Sequence, residues 1–144
     1  MKKANKYYFE IFLEFEEDYD VESIEEKIGY KPHRLLTRSM HAKKVEKAVV
    51  YEADGSTHKI TPKAMFSYRT EEKTELFIDD EFAKFVMEAD IKLKNYIQEI
   101  KDNKGQITFK IVFTEFKDKP YFSFSREIIK ILAKCDAEIM VDYV

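Results

Sequence analysis

The sequence has no Trp, one Cys, three Gly and three Pro among 144 residues, and each scarcity closes off a class of protein. A single thiol, Cys135, cannot make an internal disulfide, which favours a reducing compartment and a cytoplasmic location. Three glycines, Gly29, Gly55 and Gly105, are too few and too far apart for a phosphate loop or a dinucleotide fingerprint. Three histidines, His33, His41 and His58, are scattered, and neither His-x-x-x-His nor Cys-x-x-Cys occurs, so no metal or other cofactor is expected. No run approaches the roughly 18 uncharged apolar residues of a membrane helix. The opening Met1-Lys2-Lys3 is followed by a segment broken by Glu10 and Glu14, which reads as a strand and not as an export signal. A basic excess is also missing. With 25 basic and 28 acidic side chains the net charge is −3, which argues against nucleic acid as a partner.

What is present is a globular chain, 44% hydrophobic and 37% charged, with 12 Phe and 9 Tyr. That composition is too apolar for disorder and implies a Phe-rich core in one domain over residues 1–144. Tyr7, Phe9, Ile11, Leu13 and Phe15 alternate with Tyr8, Glu10, Phe12, Glu14 and Glu16, the period of a strand with one buried face. Asp20 then caps a short helix with Val21, Ile24 and Ile28 on one side, ended by Gly29 and by Pro32. His33 to Met40 and Val45 to Ala53 are expected as strands. Asp54-Gly55 is a hairpin turn, from which Thr57 to Ile60 pairs back, and Ala64 to Arg69 is a further strand.

Phe82, Phe85, Val86, Ala89, Leu93, Tyr96, Ile97 and Ile100 form one helical stripe, so a single long helix is expected over Asp79 to Lys101. Asp79 and Asp80 suit its N-terminus, and Asn103-Lys104-Gly105 suits its exit. Ile107, Phe109, Ile111 and Phe113 alternate as a strand. A turn at Lys117 to Pro120 and a short strand at Tyr121 to Phe124 follow. Ser125 caps a helix with Ile128, Ile131, Leu132 and Cys135 on one face, and Ile139, Val141 and Tyr143 end the chain as a strand. The fold class is α+β: a single twisted, mainly antiparallel sheet with one long and two short helices, built of ferredoxin-like split βαβ units with an extension.

Several of these segments also carry a family pattern. They are Asp20-Val21-Glu22-Ser23-Ile24, Gly29-Tyr30-Lys31-Pro32, Phe66-Ser67-Tyr68 and Leu76-Phe77-Ile78-Asp79-Asp80. The run Pro120-Tyr121-Phe122-Ser123-Phe124-Ser125-Arg126-Glu127-Ile128, then Leu132-Ala133 and Ala137 to Tyr143, completes the pattern. Together they resemble the small bacterial proteins of domain of unknown function 4279. The resemblance implies the fold and a bacterial, cytoplasmic setting; it implies no activity and no functional residues.

No catalytic group stands out. Cys135 falls on the apolar face of the last helix, where an inert thiol is expected, and no serine sits in a Gly-x-Ser-x-Gly elbow. Charge is segregated, however. Glu10, Glu14, Glu16, Glu17, Asp18, Asp20, Glu22, Glu25 and Glu26 form an acidic tract. Lys31, His33, Arg34, Arg38, His41, Lys43, Lys44 and Lys47 form a basic one opposed only by Glu46. Either these are solvated faces that neutralise each other, or His33, Arg34, Arg38, His41, Lys43 and Lys44 make a binding surface for a protein partner. Tyr8, Phe12 and Phe116, on the polar side of strands, lie under loops or a helix or form an interaction patch. The leading expectation is a non-catalytic interaction or accessory module, of the immunity type, in a chain that is monomeric or weakly dimeric. The alternative is a small-molecule-binding domain or hydrolase-like enzyme. Its pocket would lie between the sheet and the long helix, where His33 and His58 meet a carboxylate.

Overall fold

The computed structural model describes residues 5–16, 18–117 and 122–144, and its centre is the alternating segment, strand β1 (Lys6–Phe15). Every second residue from Tyr7 to Phe15 is fully buried and the residues between are half-exposed, as a two-residue side-chain period on a one-sided sheet dictates. A 3-10 turn, Val21–Ser23, leads into α1 (Ile24–Ile28), which ends on Gly29 in the left-handed conformation, φ 76°. The Asp20 side chain makes no cap bond there.

Next come β2 (Arg34–Leu36), α2 (Arg38–Val45), and the hairpin of β3 (Val49–Tyr51) and β4 (Thr57–Lys59), which is a sheet of its own. Then β5 (Ala64–Arg69), α3 (Ile78–Leu93), α4 (Ile97–Asp102), β6 (Gly105–Glu115), α5 (Arg126–Lys134) and β7 (Glu138–Tyr143) complete the chain.

The main sheet has the order β2-β5-β1-β6-β7. β5 is antiparallel to both β1 and β2, and β1 is antiparallel to β6. Hence β1 and β2 run parallel with β5 inserted between them, and β5 and β6 run parallel with β1 between them. These are two split βαβ units, and β1-α1-β2-β5-α3-β6 is the ferredoxin-like arrangement. α5 and β7 extend it through a direct parallel pair, β6–β7. The helix-covered face is filled by rings: Phe9 lies 5.4 Å from both Phe82 and Phe85, and Phe109 lies 6.1 Å from Phe85. The space between the sheet and α3 is therefore core, not a pocket.

Four expectations need correction. The strand expected at His33 to Met40 stops at Leu36, because the Thr37 hydroxyl accepts the Met40 N–H at 3.2 Å and starts α2. α2 takes Val45 as well, so the following strand is confined to Val49–Tyr51. The long helix is two helices: Tyr96 N–H turns back to the Leu93 carbonyl at 2.8 Å, and that tight turn redirects the chain while Leu93 and Ile100 both stay buried. Phe122 and Phe124 form no strand, since both rings are used in packing, on Phe113 and Phe82. The expected turn at 117–120, the strand's first residue Tyr121, the acidic Glu17 and the Met1-Lys2-Lys3 start fall at least partly outside the described residues. Among the described residues no helix is long and apolar enough to cross a membrane.

Candidate functional site

The segment between β2 and β5 builds an arm unlike the rest of the molecule. α2 contains no buried residue, and β4 is exposed throughout. An eight-residue helix is marginal on propensity alone and usually depends on a packed apolar face. Here its anchors are local. Thr37 caps it, and His41, half-buried, accepts the Lys63 backbone N–H on Nδ1 at 2.9 Å. Lys63 in turn donates to Glu14 on β1 at 2.7 Å, tying the arm's return to the sheet. The hairpin adds a pair between His58 and Glu52 at 3.2 Å, and its turn places Gly55 at φ 86°.

The six expected site residues all lie at the start of this connection, two at β2 and four on α2. Arg38, His41, Lys43 and Lys44 stand on α2, with His41 turned inward and the others exposed. Arg34 is exposed on β2 opposite Ser67, and His33, exposed just before it, donates its N–H to the Ser67 carbonyl at 2.7 Å. Among the described residues no ion pair joins the acidic and basic tracts. Glu14 is used by Lys63, while Arg34, Arg38, Lys43, Lys44 and Lys47 have no carboxylate partner. These cations therefore project unneutralised into solvent, and their attraction for an anion is weakened only by water and salt.

Next to His33, at the C-terminal ends of β5 and β6 and away from α2, lies a cleft of about 600 Å³ lined by residues that include Tyr8, Lys31, His33, Arg69, Glu71 and Glu72. The Arg69 guanidinium sits 5.0 Å over the Tyr8 ring, and the Thr114 hydroxyl donates to Glu72 at 2.6 Å. Sequence reading missed Arg69 and Thr114 and could not place Tyr8 beside them, because only the strand order brings β5, β1 and β6 side by side. His33 and His58 serve different places: one lines the cleft, the other pairs with Glu52 on the hairpin. Among the described residues no group of three or more His, Cys, Asp or Glu side chains could hold a metal ion.

The open face of the sheet also differs from expectation. Tyr8 and Phe12 lie under single cations, Arg69 and Lys110, the latter 4.7 Å from its ring, instead of under a loop or helix. Phe116 remains half-exposed at the edge of Phe113 and Tyr143. Cys135 is buried, and burial pushes its thiol pKa up, the opposite of what a nucleophile requires.

A second polar cluster has a structural character. Lys27 on α1 donates to Glu99 on α4 at 2.6 Å and to the Tyr19 hydroxyl at 3.1 Å, while Tyr19 donates to the same carboxylate at 2.7 Å. The hydrogen bonds that Lys27 donates to Glu99 and then to Tyr19 hold its pKa well above the usual lysine range. Those from Lys27 and Tyr19 pull the Glu99 carboxyl down. Tyr19 stacks on Phe15 at 4.2 Å, so the cluster clasps two connections of the fold to its core.

Scaffold and arm together define a ferredoxin-like α+β fold with a C-terminal αβ extension, α5 and β7, and an inserted basic excursion. The chain belongs to the family described as domain of unknown function (DUF4279), whose model matches residues 3–144. No curated protein and no solved structure matches it.

Proposed function

We propose that this chain is a non-catalytic interaction module, of the accessory or immunity type, that engages an acidic surface on another protein through α2 and the adjoining end of β2. The observation that supports the reading is that α2 has no buried residue yet presents Arg38, Lys43 and Lys44 without carboxylate partners among the described residues. A helix that stabilises little and exposes free cations is better explained by contact with something outside the chain. The acidic tract, whose described members make no ion pair apart from Glu14, repels acidic partners elsewhere and so orients the encounter. The lone thiol suits a reducing compartment, and the reading places the protein in a bacterial cytoplasm.

Exchanging Arg34, Arg38, Lys43 and Lys44 together for Glu tests this. Affinity capture from the host lysate at low salt, quantified against the wild type, should lose its principal partner at least about tenfold. Unchanged recovery of every captured protein would refute the proposal.

The cleft supports a second reading, a small-molecule site, since its volume lies within the roughly 300–1,000 Å³ of ligand pockets. Lys31, His33 and Arg69 facing Glu71 and Glu72 suit a small zwitterion. Arg69→Ala should abolish any such binding and leave capture by the α2 arm intact.

A further inference from the structure

The two edges of the main sheet are treated differently. β2 is three residues long, is preceded by Pro32 and gives way at once to α2; such an edge resists further strands. β7 is six residues long and has no Pro, no cation and no bulge. Its side chains are exposed: Ile139 and Val141 at 37% each and Tyr143 at 60%. Glu138 and Asp142 are its only charges, and a long edge with four apolar side chains and so little protection is what soluble proteins avoid unless something pairs with it.

We propose that a second copy of this chain adds to β7 antiparallel about a two-fold axis through Val141, joining two five-stranded sheets into one of ten. The register follows from the strand itself. Val144 N–H is spent on the Phe113 carbonyl, so by alternation Met140 and Asp142 also point their backbone groups at β6, while Ile139, Val141 and Tyr143 point theirs outward. Outward groups must meet outward groups, which leaves three central positions for the axis. An axis through Met140 sets Glu138 opposite Asp142 of the second copy, twice. An axis through Asp142 sets that carboxylate against its own mate. Both place like charges face to face, which is destabilising.

The axis through Val141 does neither. It sets Ile139 opposite Tyr143 twice, Val141 opposite Val141, and each Asp142 opposite a Met140. The three apolar residues share the helix-covered side of the sheet, level with Phe109, Ile111 and Phe113. The Tyr143 ring is already held there, 5.3 Å from Phe113 and 5.1 Å from Phe116. Charge separation and apolar pairing thus select the same one of the three registers, and both point to a copy of this strand.

Amide exchange on the wild-type chain is the first test, over roughly a hundredfold range of concentration. The amides of Ile139, Val141 and Tyr143 should slow as concentration rises, in step with a sedimentation shift from monomer to dimer. Those of Met140, Asp142 and Val144, bonded to β6, should not change. Val141→Lys, which opposes two cations on the axis, should sediment as a monomer throughout. The register is read by Val141→Cys, which should form a symmetric disulfide under copper-phenanthroline oxidation, the paired Cα atoms lying about 5.5 Å apart. Met140→Cys, facing Asp142, should not, and Cys135 is buried away from the edge. A wild type that stays monomeric with three freely exchanging amides, or cross-linking through Met140→Cys instead, would overturn the inference.

Discussion

Gly105 opens β6 at the point where α4 crosses the end of β1. A Cβ there would stand 2.6 Å from both Ile100 Cγ2 and Phe15 Cε1 and 2.8 Å from the Ile100 carbonyl oxygen. One of these neighbours is backbone and the other two are buried side chains, so nothing can give way cheaply. Gly105→Ala should therefore cost about 1–3 kcal/mol, read from urea unfolding midpoints, the range found for overfilled cores. The sequence suggested glycine for another reason, as the exit of a helix. The left-handed exit is in fact taken by Lys104, at φ 56°, and the demand on Gly105 is steric. That demand comes from Ile100, brought back by the α4 exit, and from Phe15, far away along the chain, and no periodicity in the local sequence could show it. Cys135 was the opposite case, since its place on the apolar face of α5 already marked it as buried and inert.

Elements built on apolar periodicity were legible. β1, β6 and β7 follow a period of two, α3 and α5 a period near 3.6, and both were placed close to where they form. α2 was not, because it buries nothing and so prints no period in Arg38–Val45; its one signal was Thr37 as a cap. The break after Leu93 was equally silent, since the apolar stripe runs on through Ile100 and no Gly or Pro marks the bend. The candidate site shows the same division. Its basic arm was visible because its members are neighbours in sequence, whereas the cleft was not because three strands assemble it. Thr37→Ala tests how independent α2 is. Loss of a cap costs about 0.5–2 kcal/mol locally. The amides of residues 41–45 should then exchange faster, while global unfolding stability stays within about 0.5 kcal/mol of wild type, because α2 contributes no buried residue to the core.

At the scale of the whole molecule, the clasp of Tyr19, Lys27 and Glu99 connects the crossover after β1 to the crossover before β6. Its members are partly exposed, with side-chain exposures of 32% for Lys27 and 38% for Glu99, so water screens the pair and Glu99→Gln should cost at most about 1 kcal/mol. The sign of its pH dependence is fixed. Glu99 has a lowered folded pKa, so its contribution is complete above the ordinary carboxylate range and is lost as pH falls through the folded value. Lys27 has a raised folded pKa, so its contribution is complete below the ordinary lysine range and is lost only as pH rises beyond it. Melting temperatures of wild type and Glu99→Gln should accordingly converge in acid, once pH has fallen well below the ordinary carboxylate range, and differ most near neutrality. A difference that persists unchanged into acid would mean the carboxylate is not what Lys27 and Tyr19 hold.

Leu36 and Met65 face each other across the β2–β5 ladder. The polypeptide thus departs from the sheet and comes back to it at neighbouring rungs, and all that happens in between hangs outside the ladder. A tight reverse turn joining those two rungs would leave every strand of the main sheet with its present neighbours. The part of the molecule that carries the exposed basic arm is thereby the part that can be lengthened, recharged or replaced while the hydrophobic interior stays as it is.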